Sequence, residues 1–175
     1  GVLDTGVNRM HEDLLGKVFG DSGYGCPAAA SHGTQVASIA AAWGNNDKGI
    51  AGVDWNARVL AKILPWEPPN PYCAYDSTLD PLTANAIRDA GAQVAHVMNN
   101  SCGLGAHGRH STEVRLAIRD FYMDKRIAVA SMGNNGGYDI QIQYPAAWAG
   151  IIAVGATNKN GNRVQESSTG RHIDV

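Results

Sequence analysis

Short aliphatic runs alternate with longer amphipathic segments along this chain of 175 residues. The aliphatic runs predict strands over residues 2–3, 59–64, 94–98, 127–130 and 151–154. Alternation of strands with helices requires parallel pairing, because each helix returns the chain to the edge where the next strand begins. We therefore predict an α/β fold in a single domain over residues 1–175, with three layers: a mostly parallel sheet and helices on both faces.

Three helices are predicted between these strands, and they begin at His32, Asp80 and Ser111. Pro81 suits the first turn of the second helix, and Gly91 suits its end. Apolar residues at three- and four-residue spacing predict the buried faces: Val36, Ile39, Ala40 and Trp43; Leu82, Ala86, Ile87 and Ala90; and Val114, Ala117, Ile118, Phe121 and Tyr122.

The composition excludes several classes of partner. A formal net charge of −2 gives no electrostatic basis for binding nucleic acid or an anionic membrane. No apolar run approaches the roughly 18–20 residues that span a bilayer. Cys26, Cys73 and Cys102 have neither zinc-site nor CxxC spacing, so we expect either a Cys26–Cys73 disulfide or three inert thiols.

Two segments carry side chains suited to acid–base chemistry. Asp4 ends the first predicted strand in Val2-Leu-Asp-Thr-Gly-Val7, and His32 opens a helix in Ser31-His-Gly-Thr-Gln-Val-Ala37. Sites in open α/β sheets form at the carboxyl ends of strands. A carboxylate that orients an imidazole, which in turn accepts a proton from a serine, is the arrangement of a Ser-His-Asp hydrolase. Asp4 and His32 are therefore predicted to be two members of a catalytic triad.

Both segments resemble the Asp and His boxes of the subtilisin-like serine proteases, the subtilases. A third segment, residues 128–135, resembles the family's strand that ends in Ala-Gly-Asn, and by this resemblance Asn134 donates to the oxyanion. The resemblance implies a secreted, monomeric serine endopeptidase that acts on polypeptide substrates and requires no cofactor for catalysis. Asp before His, with the serine expected after both, differs from the His-Asp-Ser order of chymotrypsin and from the Ser-Asp-His order of the α/β-hydrolases.

The resemblance also implies a substrate cleft between two strand ends. Its expected walls are Ser101, Cys102 and Gly103 on one side and Ser131, Met132 and Gly133 on the other. An extended peptide would pair with the backbone there, while pockets would recognise its side chains. Met132 in the wall and Gln143 near the base predict a preference for an apolar or uncharged side chain. Pro145, in the matching Tyr-Pro-Ala segment, is expected to be cis.

A structural calcium ion is implied by two further matched segments. Asp13 and Asn46 would supply side-chain oxygens, and the carbonyls of Gly44, Lys48 and Ile50 would add more. Oxygen ligands from a tight loop suit this hard cation. The family's site also uses a residue upstream of Gly1. His107 and His110 form an HxxH pair without a third ligand nearby, so we expect no metal there.

The family's Gly-Thr-Ser segment, which carries the nucleophile, is absent from these residues. We expect it to lie beyond Val175, the fold to be incomplete at both ends, and the 175-residue chain alone to be inactive. Neither Ser31 nor Cys102 is expected to replace the serine. The alternatives are a non-catalytic peptide-binding relative and an inactive fragment. A nucleotide-binding domain is disfavoured, because neither GxGxxG nor GxxxxGK[ST] follows the first strand.

Overall fold

The computed structural model describes residues 1–21, 23, 31–64, 79–104, 109–136 and 142–175. Its strands are β1 (Val2–Asp4), β2 (Val18–Gly20), β3 (Val59–Ile63), β4 (Val97–Asn100), β5 (Ile127–Ser131) and β6 (Ile151–Val154). Its helices are α1 (His32–Ala41), α2 (Asp80–Ala92) and α3 (Thr112–Met123). Within the described residues the strands form one sheet in the order β2-β3-β1-β4-β5-β6, and neighbouring strands pair in parallel.

The sheet order places the carboxyl end of β1 at a reversal of strand order. After β1 the chain builds β2 and β3 on one side of it, and then crosses to build β4, β5 and β6 on the other side. In the register between β1 and β4, Leu3 is opposite Asn100, so Asp4 and Ser101 are the next residues on the two neighbouring strands. A crevice forms at such a switch point, because the flanking loops leave in opposite directions.

Helices cover both faces of the sheet, as predicted. Successive residues of β1 show this division: Val2 packs in the cluster that contains Ala37 and Ala41 of α1, whereas Leu3 packs in the larger cluster. The larger cluster joins the sheet to α2 and α3 through fully or almost fully buried side chains, among them Leu60, Ile87, Met98, Ile118 and Phe121. The α/β fold with helices on both faces is confirmed.

The buried face predicted for the first helix is wrong at three of its four residues, while Val36 is half-buried and packs against the cluster that contains Ala37 and Ala41. Ile39 and Trp43 are 61% and 42% exposed, and Ala40 is also exposed. The residues of α1 that are buried are small: Gly33, Thr34, Ala37, Ser38 and Ala41. Small side chains allow the helix axis to approach the sheet closely, so close packing and not side-chain size determines which face of α1 is inside.

The other elements differ from the prediction mainly at their ends. The strand predicted over 94–98 is displaced, because Val94 has a φ of +60° in a turn and pairing begins only at Val97. In α2 the N-cap is Leu79, Gly91 lies inside the helix, and Leu82 is 55% exposed. Strand β2 was not predicted at all.

Helix α3 begins as its sequence predicts. The Ser111 side chain accepts a hydrogen bond from the Val114 backbone N–H at 3.2 Å, which satisfies one of the free donors at the helix start. Of the apolar residues predicted for the inner face of this helix, Tyr122 is half-buried. The other four are buried: Val114, Ala117, Ile118 and Phe121.

Candidate active site

Asp4 and His32 are in direct contact. The Nδ1 atom of His32 lies 2.7 Å from Oδ1 of Asp4. Asp4 is the last residue of β1, and His32 is the first residue of α1. Gly33 makes this approach possible, because a Cβ atom there would overlap the carbonyl oxygen of Gly6. The chemistry predicted from two separate segments is thus assembled where a strand end meets a helix start.

The two members of this pair differ sharply in exposure. The Asp4 side chain is 2% exposed, whereas the His32 side chain is 48% exposed. Oδ1 of Asp4 also accepts hydrogen bonds from the Thr5 backbone N–H at 2.7 Å and the Thr5 hydroxyl at 3.1 Å. The carboxylate is therefore fixed inside the protein. When Nδ1 of His32 carries the proton shared with Asp4, Nε2 is the nitrogen left to accept another proton.

Asn134 follows β5 at the same edge of the sheet. It is exposed, and its side-chain amide makes no hydrogen bond to any residue in the described part of the chain. The backbone beside it is anchored: the Ser168 N–H donates to the Gly133 carbonyl at 3.0 Å, and the Asn135 N–H donates to the Ser168 hydroxyl at 3.0 Å. Asn134 therefore offers a free N–H donor on a fixed backbone.

We use the name cleft for the space between residues 101–103 and residues 131–133, which follow the paired strands β4 and β5. Side chains alternate in direction along an extended segment, so the expected wall residues fall into two groups, one packed against the core and one lining the cleft. Met132 is 1% exposed and belongs to the main core, and Cys102 packs against that core. Ser101 and Ser131 instead line a cavity of about 230 Å³, together with Gly133 and Asn134. Met132 also lines this cavity, although almost all of its surface is buried in the core.

Two amides at the end of β4 were missed in the sequence. Asn99 donates through Nδ2 to the Ser101 hydroxyl at 2.8 Å, and Asn100 donates through Nδ2 to the Val129 carbonyl at 3.2 Å. Both bonds fix the wall of the cleft. Asn100 is buried, and an Asn-Asn pair at the end of the apolar run Val97-Met98 was the signal that could have indicated such a cross-strand bond.

The cysteines do not supply an alternative nucleophile in the described part of the chain. Cys102 is a free thiol, and burial, with a smaller contribution from the negative charge of Asp4, raises its pKa to about 12. A thiol with this pKa stays protonated at neutral pH and is a weak nucleophile. Cys26, Cys73 and His107 lie outside the described residues, and so does the predicted disulfide.

Asp13 lies at the centre of the loop that was expected to hold calcium. Its side chain is buried, with Oδ1 accepting from Asn46 Nδ2 at 2.9 Å and Oδ2 accepting from the Ile50 backbone N–H at 2.9 Å. These hydrogen bonds, the Asn46 bond first, lower the pKa of Asp13. Asn46 Oδ1 accepts from the Lys48 N–H at 3.3 Å. Among the described residues no group of three or more His, Cys, Asp and Glu side chains could hold a metal ion.

The helices of the described ranges are too short or too polar to cross a membrane.

Pro145 follows a cis peptide bond, as expected. Tyr144 stacks on Trp148 with ring centroids 5.1 Å apart, and its carbonyl accepts from the Leu104 N–H at 3.0 Å. The segment that carries Gln143 is therefore tied to the far end of the 101–103 wall.

Comparison with known proteins identifies relatives over the whole chain. A thermophilic serine proteinase of Bacillus sp. (strain AK1) is 36% identical over 99% of this chain and 42% of that protein. Subtilisin DY of Bacillus licheniformis is 34% identical over 100% of this chain and 62% of that protein. The chain thus spans about half the length of these relatives.

Solved structures agree with this relationship. The psychrophilic subtilisin-like protease Apa1 from the Antarctic psychrotroph Pseudoalteromonas sp. AS-11 has a TM-score of 0.77 at 28% identity, over 99% of this chain and 39% of that one. The self-cleaved protease domain of PatA has a TM-score of 0.78 at 25% identity, over 98% of this chain and 62% of that one. The family model described as the subtilase family matches residues 1–175. Because this match runs from the first residue to the last, the chain belongs to the subtilase family.

Proposed function

We propose that this chain is the Asp–His part of a serine endopeptidase that hydrolyses peptide bonds in polypeptides. The observation that carries the proposal is the 2.7 Å contact between His32 Nδ1 and Asp4 Oδ1 at the carboxyl edge of the sheet. A buried, hydrogen-bonded carboxylate beside a half-exposed imidazole is suited to holding the ring in one tautomer and stabilising its protonated form. The membership of the chain in the subtilase family supports the same reaction.

Each residue of the proposed site has a separate role. His32 takes the proton of the attacking serine through Nε2 and later gives it to the leaving amine. Asp4 keeps its charge and stabilises the imidazolium that forms. The Asn134 amide donates to the oxygen of the tetrahedral intermediate, where negative charge develops. Backbone groups of residues 101–103 pair with the extended substrate.

The nucleophile of the proposed reaction comes from outside these 175 residues. The sequence contains no Gly-Thr-Ser segment, and Ser31 precedes His32 directly without making a side-chain cap bond in α1. We propose that the parent protein supplies the serine from a segment that follows, and that the isolated chain hydrolyses no peptide at an appreciable rate. Casein digestion by the purified chain, abolished in a His32→Ala variant, would contradict this proposal.

The decisive experiment uses the parent protein that carries the serine segment. A fluorophosphonate probe should label it irreversibly, and mass spectrometry should place the label on the serine of that segment. Asp4→Ala should greatly reduce both labelling and casein hydrolysis while the thermal unfolding temperature stays near that of the wild type. If Asp4→Ala retains full activity, Asp4 is not a triad member. If the folded parent is not labelled but binds peptides, it is instead a non-catalytic peptide-binding relative.

We also propose that the loop of residues 44–50 binds calcium. The donor set fits a hard cation in type, with the buried Asp13 carboxylate, the Asn46 side-chain oxygen and the carbonyls of Gly44, Lys48 and Ile50. Binding requires the Asn46 amide to turn, because its nitrogen and not its oxygen faces Asp13 in this structure. Millimolar calcium should raise the thermal unfolding temperature relative to EDTA, and Asp13→Asn should abolish the rise. An equal rise in Asp13→Asn would exclude this site.

A secreted, monomeric parent is proposed from the family relationship. The proposed calcium-binding loop is consistent with an extracellular enzyme. Activity assays on the culture medium and on washed cells of the source strain test the location. Sedimentation of the purified protein tests the monomer, and a mass of two chains would contradict it.

A further inference from the structure

A second cavity lies between α3 and the turn of residues 148–150. Its volume is about 190 Å³, and its lining includes Arg115, Arg119 and Tyr122 of the helix and Trp148 of the turn. Positions 115, 119 and 122 follow one another at helical spacing, so the three side chains share one face of α3. Among the described residues this cavity shares no lining residue with the cavity of the cleft. It is therefore a separate feature of the surface.

The aromatic walls of this cavity are fixed before any ligand arrives. The Tyr122 ring lies against the backbone of Gly150, where a Cβ atom would come within 2.7 Å of Cε1. The Trp148 N–H donates to the Pro145 carbonyl at 3.0 Å, and the Trp148 carbonyl accepts from the Ile151 N–H at 3.3 Å. Tyr122 and Trp148 are both half-buried. The space between helix and turn is therefore preformed, as ligand sites usually are.

The charge on this face of α3 is positive and poorly balanced. Arg115 and Arg119 are both exposed and lie one turn apart, a spacing at which like charges repel. Arg115 makes no ion pair or side-chain hydrogen bond within the described ranges. Arg119 donates to the neighbouring Asp120 at 2.8 Å, but both side chains are more than half exposed, so that pair is weak. An anion beside the two guanidinium groups would relieve their repulsion.

The size and lining of the cavity indicate which anion fits. Sites for whole small molecules usually measure roughly 300–1,000 Å³. A cavity of about 190 Å³ is smaller and suits a single side chain. Guanidinium groups bind carboxylates through paired hydrogen bonds, and Leu116 and Trp148 offer apolar surface to an aliphatic stem. The side chain of Glu or Asp in a polypeptide has both properties.

A short segment connects this cavity to the cleft. Trp148 stacks on Tyr144 with ring centroids 5.1 Å apart. The Tyr144 carbonyl accepts from the N–H of Leu104, which directly follows the cleft wall at Gly103. Since an extended chain advances about 3.3–3.6 Å per residue, a polypeptide held in the cleft needs only a short further stretch to reach the cavity.

We propose that this cavity is an exosite, a substrate-binding site outside the cleft, which recruits polypeptides through an acidic side chain that lies beyond the cleaved sequence. Arg115 and Arg119 bind the carboxylate, and Trp148 packs against its stem. This inference rests on the proposed endopeptidase function and adds a second feature to the substrate class. The exosite affects the binding of substrates and leaves the chemical step unchanged.

The test uses the parent protein and pairs of quenched fluorescent peptides. Both members of a pair contain the same cleavable sequence, joined at either end through Gly-Ser linkers of several lengths to a run of Glu or of Gln. The wild type should show a kcat/KM about 3- to 10-fold higher for the Glu peptide with at least one linker, the size expected of one or two exposed ion pairs. The difference should lie in KM and should shrink at high salt, which screens exposed charges.

Two double variants distinguish a specific site from general electrostatic attraction. Arg115→Gln with Arg119→Gln keeps good helix formers in α3 and should bring the Glu-to-Gln ratio close to one, with the Gln peptide cleaved as by the wild type. Arg88→Gln with Lys125→Gln removes the same charge from exposed positions outside the cavity and should retain the preference. A wild type without the preference, or an equal loss in both double variants, overturns the exosite. So does a double Arg variant that loses thermal stability while the wild type shows no preference, because the cavity is then filled by another part of the parent chain.

A binding measurement separates this inference from the proposed function. Fluorescence anisotropy of a labelled Glu peptide is measured with the Asp4→Ala parent, which is expected not to cleave it. Adding the two Arg substitutions should weaken binding about 3- to 10-fold, again the effect of one or two ion pairs. If fluorophosphonate labels the parent but the Arg substitutions change neither binding nor the cleavage ratio, the exosite is wrong and the endopeptidase function stands. If the folded parent is neither labelled nor active, the endopeptidase function fails and the exosite, as a site for substrates, fails with it.

Discussion

Gly33 packs directly against Asp4. A Cβ atom on Gly33 would lie 3.0 Å from Asp4 Cβ and 3.1 Å from Oδ1, and it would overlap the neighbouring Gly6 carbonyl. The helix start that carries His32 is therefore as close to β1 as a residue without a side chain allows. The 2.7 Å contact of the imidazole with the carboxylate depends on this approach.

Gly33→Ala should therefore strongly reduce the endopeptidase activity proposed for the parent protein. The added methyl group pushes the start of α1 away from β1, and a displacement of about 1 Å in a catalytic group commonly lowers the rate by roughly 10²-fold. We expect kcat/KM on a peptide anilide to fall by about that factor. Gln35→Ala is the matched control, because Gln35 lies in the same turn but is exposed, and it should change kcat/KM by less than about twofold. Unimpaired activity in Gly33→Ala would show that the contact tolerates displacement.

Asn134→Ala should lower kcat with little change in KM. The Asn134 amide is proposed to bind the oxyanion, which exists only in the transition state and intermediate, so its loss affects the chemical step and not substrate binding. The expected loss is about 10²–10³-fold, a magnitude that is established for the corresponding donor of subtilisin. Steady-state kinetics on the parent protein give both constants.

Asn135→Ala is the matched control for this substitution. The neighbouring Asn135 contributes its backbone N–H to the Ser168 hydroxyl, a bond that alanine retains. Its kcat should stay within about threefold of the wild type. A comparable loss in both variants would indicate that the turn has been distorted and would remove the specific role of Asn134.

A site residue could be predicted from the sequence where a chemically distinctive side chain stands at the end of a strand or at the start of a helix. Asp4 at a strand end and His32 at a helix start are such cases, and the structure joins them. The buried face of α1 could not be predicted, because large apolar residues such as Ile39 and Trp43 dominate any periodic pattern, whereas Gly33 and Ala37 form the contact. Side-chain size misleads wherever a helix packs very closely.

Gln143 was expected near the base of the cleft by resemblance, but the close approach of its carboxamide to Gly103 and Gly133 could not be predicted, for a different reason. It depends on three segments, those of Gly103, Gly133 and Gln143, whose relative positions are set by the whole sheet. Strand β2 was missed because it contains only two apolar residues before Gly20 and is defined by its pairing with β3, not by any pattern of its own. The position of the Gln143 side chain and the existence of β2 are both set by contacts between segments that are distant in the sequence.

Lys62 should stabilise the fold through a buried ion-pair network. Its side chain is 6% exposed, and Nζ donates to Asp21 at 2.8 Å and to Asp89 of α2. Lys62→Met should lower the free energy of unfolding at pH 7 by about 1–3 kcal/mol, the usual cost of losing hydrogen bonds to charged groups. The partly exposed carboxylates can rehydrate, which limits the loss. Urea denaturation measures it, and the exposed Lys159→Met control should change it by less than about 0.5 kcal/mol.

The same network has a defined pH dependence. Burial alone would lower the pKa of Lys62, but hydrogen bonds from Lys62 to Asp21 and Asp89 raise it above the ordinary value of 10.5. A folded-state pKa above that of the unfolded chain means that the stabilisation is complete below the unfolded value and is lost as pH rises through the folded value. The difference between wild type and Lys62→Met should therefore be constant near pH 7–9 and narrow above pH 10.5. A difference that widens there would contradict the network.

Cys102 should resist alkylation in the native protein. Burial raises the pKa of its thiol to about 12, with a smaller contribution from the Asp4 charge. At pH 8 the thiolate fraction is then roughly a thousandfold lower than for a free cysteine of pKa about 8.5, and only the thiolate reacts. Iodoacetamide labelling followed by peptide mapping should show this slow reaction at Cys102 and a rate that rises about tenfold per pH unit. The same peptide in 6 M guanidinium chloride should react like free cysteine. Rapid native alkylation at pH 8 would instead show an accessible thiolate beside the Asp4–His32 pair and would reopen Cys102 as a candidate nucleophile.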